Sequence, residues 1–149
     1  MDAAHDLVRS RRYCTVVTIN ATGGPAALTV QPWRPGGQWV IRFGTDASSR
    51  KVADIDRDGR CLLVYSDEVR NRSVTLDCRA RMVTDLEQRR RWFMPAWTAF
   101  WPSGADAPGF VVIECRPQST ELWDGRAVIA PDPFGLVSRR VVRREGGWA

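Results

Sequence analysis

A group of hydroxyl and cationic side chains stands in the stretch TDASSRKVADI, residues 45–55, which contains the only lysine of the chain, Lys51. The other 21 of the 22 lysines and arginines are arginine. Ser48 or Ser49 is a good N-cap, and the apolar residues that follow predict a short helix that ends at Gly59. The lysine therefore lies where a helix begins.

The first turn of such a helix attracts anions, because its N–H groups lack partners within the helix and the helix dipole is positive there. Ser49 adds a hydroxyl, Arg50 can grip two phosphate oxygens with its planar guanidinium, and Lys51 supplies a compact charge that can reorient. These residue types predict a phosphate site. The alternative is an ordinary helix cap with solvated basic side chains, and composition alone does not separate the two interpretations.

The rest of the chain offers few groups for acid–base or metal chemistry. The only histidine is His5, near the N-terminus, which argues against a zinc site and against Ser-His or Cys-His triads. Asp54 and Asp106 have no visible acidic partner and are expected at the surface or as caps, while Tyr65 is expected to pack. No residue identifies itself as catalytic, so a cofactor is expected to supply any enzymatic chemistry. Buried, reduced thiols are expected for the four cysteines, Cys14, Cys61, Cys78 and Cys115.

Length and charge bound the class of protein. The 149 residues are expected to form one domain, residues 1–149. No apolar segment approaches the roughly 20 residues of a membrane-spanning helix, and the N-terminus lacks the apolar run of a signal peptide. We therefore expect a soluble, cytoplasmic protein with no membrane partner. The net charge is +5, but acidic residues are interleaved with the arginines, so we expect no nucleic-acid partner.

Runs of β-branched and apolar residues predict a mainly β protein. In residues 73–83 apolar and polar side chains alternate, which indicates a strand with one buried face. Strands are predicted at residues 13–19, 26–33, 38–43, 61–66, 73–83, 110–117 and 120–124, and a second helix from near Asp85 to a break at Pro95. A small antiparallel barrel would leave no exposed sheet edge. A β-sandwich and an oligonucleotide-binding barrel fit the strand count nearly as well.

The order of these elements resembles the pyridoxamine 5'-phosphate oxidase-like family of flavin-binding split barrels, and its general stress protein type in particular. The motifs that support the resemblance are SSRKVADI, VTLDCRARMVTD, WFMPAWTAFWPSGADAPGFVVIECRP, ELWDG and PDPFGL, and they extend from about Tyr13 to the C-terminus. The resemblance implies a six-stranded antiparallel split β-barrel with short flanking helices. It also implies a homodimer that holds FMN in clefts at the dimer interface and acts on a small-molecule substrate.

The resemblance further implies which residues meet the cofactor. They are Val30, Gln31, Gly44, Thr45, Ser49, Arg50, Lys51, Ser73 and Trp123. The first two belong to a strand whose main chain follows the isoalloxazine ring, and the next two to the end of the following strand. Ser49, Arg50 and Lys51 match the phosphate-binding positions. Ser73 matches a polar position at the start of the long strand, and Trp123 matches a tryptophan that reaches the flavin of the partner subunit.

Three departures from the family pattern bear on function. Leu28 stands where flavin-binding members usually have an arginine that helps to neutralise the phosphate, and Arg34 or Arg42 is the candidate to replace it. Cys78 stands where a glycine is common in the long strand. The C-terminal Arg-Leu-His signature of true pyridoxamine phosphate oxidases is absent, so oxidation of vitamin B6 is not expected.

Several functions stay open at this point. The first hypothesis is an FMN-dependent oxidoreductase of a small substrate. Leu28 favours the alternatives of a non-enzymatic flavin-binding or stress protein and of a dimeric relative without cofactor. A split barrel that binds a deazaflavin or haem is the third, and haem is the weakest because no histidine is well placed. The aromatic cluster is expected in the core or the dimer interface, with a place for Trp97 or Trp101 in the ligand cleft as the alternative. Its members are Trp92, Phe93, Trp97, Phe100 and Trp101.

Overall fold

The computed structural model describes residues 1–126 and 137–149. The strands are β1 Cys14–Ile19, β2 Pro25–Val30, β3 Ile41–Asp46, β4 Arg60–Asp67, β5 Arg72–Val83, β6 Phe110–Asp124, β7 Arg139–Arg144 and β8 Gly147–Trp148. The helices are α1 Asp2–Ser10, α2 Arg50–Asp58 and α3 Leu86–Trp92, and two 3-10 turns span Pro95–Ala99 and Gly104–Asp106. The motif PDPFGL, residues 131–136, lies outside the described residues.

The strands pair in the order β2-β1-β4-β5-β6-β7-β8, and β3 pairs with the first half of β6. Each of these pairings is antiparallel. After the end of β2, Pro32 forms an isolated bridge with Phe43 of β3, and the Trp33 N–H donates to the Arg42 carbonyl at 2.9 Å. The barrel is therefore split between β2 and β3. The predicted six-stranded antiparallel split barrel with short flanking helices is confirmed for β1–β6.

The structure differs from the predicted elements in four places. Strand β3 spans Ile41–Asp46 instead of residues 38–43, because residues 36–39 form a turn in which Trp39 has a positive φ of 56°. Residues 110–117 and 120–124 form the single strand β6, because β5 pairs along its length with one irregularity in register at Asp77 and Cys78. Strands β7 and β8 were not predicted, since an arginine-rich sequence gives little strand signal. Helix α1 was also not predicted, and it is ordered because Leu7 and Val8 are buried in the barrel core.

Alternating side chains of the strands fill the barrel interior. Phe43, Leu63, Tyr65 and Leu76 are fully buried there. All four cysteines are buried and free, as expected, and the sulfurs of Cys61 and Cys115 lie 3.8 Å apart. Tyr65 packs in the same interior, which confirms its predicted structural role.

The segment between β5 and β6, residues 84–109, packs with the adjoining ends of these two strands in a second apolar cluster outside the barrel. Its buried members are Val83, Trp97, Ala105, Ala107, Phe110 and Val112, with further tryptophans packed around them. Trp97 has ring contacts with Trp33 at 5.0 Å and with Phe110 at 5.7 Å between centroids. The structural role expected for the aromatic cluster is thus confirmed for Trp97, which covers the outer face of β3 and β6.

Helix α2 follows β3 directly and begins and ends at the predicted residues. Ser49 is its N-cap, and Gly59 ends it in the left-handed conformation with φ of 73°, which glycine adopts without strain. Val52 and Ile55 place one face of the helix in the barrel core. This packing fixes the first turn of α2 beside the end of β3.

Candidate functional site

A cleft of about 490 Å³ opens where the barrel is split. Strands β2 and β3 form one side, the aromatic segment forms the other, and the first turn of α2 closes one end. The lining residues are Thr29, Val30, Gln31, Gly44, Thr45, Asp46, Lys51, Trp97, Phe100 and Trp101. Five residues that the sequence assigned to a cofactor therefore meet in one cleft, namely Val30, Gln31, Gly44, Thr45 and Lys51.

The N-cap of α2 carries a buried hydroxyl that has no hydrogen-bond partner in the described part of the chain. The Ser49 Oγ atom is buried and makes no hydrogen bond within the described residues, and it does not cap its own helix. An unpaired buried hydroxyl costs free energy, so such groups normally have a partner. Lys51, two residues later, is half-buried and lines the cleft, whereas Ser49 is not among the lining residues. Burial first and the Arg50 charge second lower the pKa of the Lys51 ammonium group. A hydroxyl, an ammonium group and free helix N–H groups together are suited to a phosphate.

Arg50, the other predicted phosphate ligand, is held in an ion pair outside the cleft lining. Its Nη1 atom donates to the Asp54 Oδ2 atom at 2.8 Å, and it is not among the residues that line the cleft. Asp54 also accepts from Arg57 at 2.9 Å and from the Thr18 hydroxyl at 2.7 Å. Burial opposes ionisation, but the hydrogen bonds of Arg57 and Thr18 and the two arginine charges outweigh it and lower the pKa of Asp54.

The expectation of a surface or capping role for Asp54 was therefore wrong, since its side chain is only 3% exposed. The spacing of Arg50, Asp54 and Arg57, four and three residues apart on one helix, is the sequence signal that predicts this pairing. Asp106 is an exposed residue that pairs with Arg90 at 2.8 Å, in line with its expected surface role.

Asp46 is a charged residue of the cleft that the sequence analysis missed. Its Oδ1 atom accepts from the Ser48 N–H at 2.8 Å and from the Ser48 hydroxyl at 2.5 Å. These two hydrogen bonds are the main reason why the pKa of Asp46 is lowered, and the Trp101 indole and the Lys51 charge lower it further. The spacing Asp-x-Ser, typical of a side-chain turn, is the signal that could have revealed it.

The aromatic side of the cleft rests on a glycine. A Cβ atom at Gly44 would lie 2.2 Å from the Trp97 ring and 2.9 Å from the Phe110 ring. Glycine at this position therefore allows Trp97 to pack directly on β3. Phe100, which is 74% exposed, and Trp101 extend this side toward solvent. Trp97 and Trp101 thus line the cleft as well as packing in the outer cluster.

We expect the change Gly44→Ala to lower the free energy of unfolding by about 1–3 kcal/mol, because the new methyl group forces Trp97 or the strand to move. Gly36→Ala is the control, since a Cβ there meets nothing within 4 Å. Denaturant unfolding of the three proteins provides the measurement. Equal stability of Gly44→Ala and the original protein would show that Trp97 does not pack on β3.

Comparison with known proteins places this architecture in a family. The family model described as pyridoxamine 5'-phosphate oxidase like matches residues 1–137 of the chain. The chain belongs to the pyridoxamine 5'-phosphate oxidase-like family. A search of curated protein sequences found no match.

Solved structures show that this pyridoxamine 5'-phosphate oxidase-like chain shares its fold with several proteins. A protein related to general stress protein 26 from Clostridium acetobutylicum is 15% identical over 95% of this chain and 92% of that one, with a TM-score of 0.79. A pyridoxamine 5'-phosphate oxidase-related, FMN-binding protein from Nostoc punctiforme is 17% identical over 99% and 92%, with a TM-score of 0.71. PhzG from Burkholderia lata, solved with tetrahydrophenazine-1-carboxylic acid, is 14% identical over 99% and 85%, with a TM-score of 0.70.

Four of the nine positions that the resemblance assigned to the cofactor do not line the cleft of this family member, namely Ser49, Arg50, Ser73 and Trp123. Ser73 and Trp123 are cross-strand neighbours at the start of β5 and near the end of β6. Gly44, in contrast, pairs with Val112 near the start of β6. A single pyridoxamine 5'-phosphate oxidase-like chain therefore does not bring these two residues to the other five.

The cations considered as substitutes at Leu28 do not line the cleft either. Arg42 donates to Glu114 at 2.6 and 3.0 Å, and Arg34 is exposed. Leu28 is 41% exposed on β2 and is not a lining residue. Lys51 is thus the cation that lines the cleft in the described part of the chain. Within those residues, no group of three or more histidine, cysteine or acidic side chains is arranged to hold a metal ion, and no helix has the length and apolar character needed to cross a membrane.

Proposed function

We propose that this chain is a flavoprotein that binds FMN in the cleft between β2, β3 and the aromatic segment. The phosphate end lies at the first turn of α2 in this proposal. The observation that supports it most is the buried Ser49 hydroxyl, which has no partner within the described residues and lies two residues before the cleft residue Lys51 at the beginning of a helix. Membership in a family with an FMN-binding structural neighbour supports the same ligand.

The residues assigned to the ligand divide into two roles in this proposal. Ser49, Lys51 and the N–H groups of the first turn of α2 donate hydrogen bonds to the phosphate oxygens. Val30, the last residue of β2, and Gln31, which follows it, line the cleft on the side of that strand. Trp97 and Trp101 supply apolar surface against which a planar ring can pack. A bound flavin supplies the redox chemistry, while the chain binds it, orients it and limits the access of water.

Oxidation or reduction of a small molecule is the activity that we propose for the bound cofactor. The cleft is open to solvent beside the exposed Phe100 side chain, which leaves room for a substrate next to a ligand on β3. A non-enzymatic flavin-binding protein is the second candidate. It is favoured by the ion pair between Arg50 and Asp54, because this pair leaves Lys51 as the cation that lines the cleft in the described residues.

Titration with FMN tests the binding proposal. We expect the flavin fluorescence to be quenched with a stoichiometry of one FMN per chain, because the tryptophans of the cleft lie close to the bound ring. The absorbance of the purified protein, with mass analysis of any extracted ligand, separates bound FMN from a deazaflavin. Failure of FMN to bind, or recovery of a deazaflavin alone, would contradict the proposal.

A homodimer is the assembly that we expect in solution. Ser73 and Trp123 lie away from the cleft of their own chain, and a second copy is needed to bring the equivalent residues to it. Strand β2 also has β1 as its one extended neighbour among the described strands, so its exposed edge favours contact with another chain. Light scattering at micromolar concentration should give twice the mass of one chain. A monomer would contradict this expectation.

A further inference from the structure

The charged residues that line the cleft carry opposite charges, which cancel. Among the described residues, the charged side chains that line the cleft are Lys51 and Asp46, so its formal charge is zero. The phosphate of FMN is a monoester and bears between one and two negative charges at neutral pH. Two further cations that could have balanced it, Arg50 and Arg42, are bound to Asp54 and Glu114.

Asp46 is held in place at both carboxylate oxygens. Ser48 donates twice to Oδ1, as described above, and Oδ2 lies against Gly109, where a Cβ atom would approach it to 2.9 Å. A side chain at residue 109 would displace the carboxylate, so the glycine allows Asp46 to occupy this position. Hydrogen bonds from Ser48 to the ionised carboxylate keep it charged at neutral pH. Asp46 is therefore a fixed negative charge.

A carboxylate discriminates between the two possible ends of a flavin by hydrogen bonding as well as by charge. An ionised carboxylate accepts hydrogen bonds and cannot donate them. Ribityl hydroxyls can donate to it, whereas an ionised phosphate monoester offers acceptor oxygens and is repelled. Lys51 and Ser49 can donate to either group, so they do not cancel this preference.

We propose that Asp46 sets the charge preference of the cleft, so that flavins with an uncharged ribityl end bind nearly as well as those with a phosphate. This inference rests on the proposed function, because it concerns the same cleft. Its ligand class is the flavin family, with riboflavin accepted beside FMN. The phosphate contacts of Lys51 and Ser49 and the repulsion from Asp46 nearly balance.

Titrations of the original protein and of Asp46→Asn with FMN and with riboflavin test this inference. Asparagine keeps an oxygen for the Ser48 hydrogen bonds and removes the charge. We expect the original protein to bind FMN less than about tenfold more tightly than riboflavin. The affinity of Asp46→Asn for FMN should rise about fivefold to fiftyfold, and its affinity for riboflavin should stay unchanged or fall. The gain for FMN should shrink as the salt concentration rises.

Asp56→Asn is the matched control. It makes the same change in charge as Asp46→Asn, and Asp56 is exposed on α2 and does not line the cleft. An equal gain in FMN affinity in Asp56→Asn would show that the gain comes from the net charge of the protein alone, and it would overturn the role of Asp46. The role is overturned as well if both flavins bind but Asp46→Asn improves them equally or not at all. If neither flavin binds to either protein, the proposed function itself fails, and this inference fails with it.

Discussion

Replacement of Lys51 by alanine is expected to weaken FMN binding by roughly ten- to a hundredfold, the effect of losing one charge-assisted hydrogen bond to phosphate. The reason is that Lys51 is the cation that lines the cleft within the described residues, and no arginine there is placed to replace it. Riboflavin, which has no phosphate, should lose much less affinity. Fluorescence titration with the two ligands measures both effects.

Arg143→Ala serves as the control for this substitution, because it removes the same charge from an exposed position on β7, outside the cleft. Lys51→Arg keeps the charge and should retain part of the affinity. Equal FMN affinities of Lys51→Ala and Arg143→Ala would contradict the assignment of the phosphate to the first turn of α2.

Glu114→Ala is expected to cause the largest loss of stability, about 2–3 kcal/mol in the free energy of unfolding. The Glu114 side chain is almost fully buried and accepts hydrogen bonds from three arginines, Arg42 on β3, Arg81 on β5 and Arg116 on its own strand β6. Its removal leaves three guanidinium groups close together without their shared partner. The partial exposure of these arginines keeps the loss below that of a fully buried ion pair.

The loss should depend on pH. Burial opposes the charge of Glu114, but the hydrogen bonds and charges of the arginines outweigh it and hold its pKa below the usual value of 4.5. Its contribution is therefore fully present above pH 4.5 and disappears as the pH falls through the lowered pKa. Denaturant unfolding at pH 7 and pH 3 measures this difference, with Glu87→Ala on the exposed side of α3 as the control. A loss of the same size at both pH values would show that the arginine contacts are not its cause.

The sequence predicted the elements whose residues follow a clear period. The strand β5 has strict alternation, and α2 has both an N-cap serine and a glycine at its end, so the structure confirms them nearly to the residue. The strands β7 and β8 were missed because arginine is a poor strand signal. In addition, β7 is ordered by pairing with β6, and β8 by pairing with β7, and the local sequence pattern does not reveal these pairings. Helix α1 was missed because it is ordered by burial against the barrel.

The candidate site was predicted in its backbone positions and less well in its charges. Gly44, Thr45 and Lys51 meet in the cleft because the end of β3 and the start of α2 are adjacent in sequence. The place of Arg50 depends on Asp54, which is buried only after α2 packs on the barrel. Asp46 was missed because its role follows from the Ser48 hydrogen bonds and from the space beside Gly109, a residue far away in the sequence.

A crystal structure of the protein grown with FMN tests the central claim most directly. The account predicts the phosphate within hydrogen-bond distance of the Lys51 Nζ and Ser49 Oγ atoms, with the ring along β2 and β3 and beside Trp97. The Arg50 side chain should stay on Asp54. Density for FMN elsewhere on the molecule, or a phosphate bound by other residues while Ser49 stays without a partner, would contradict the account.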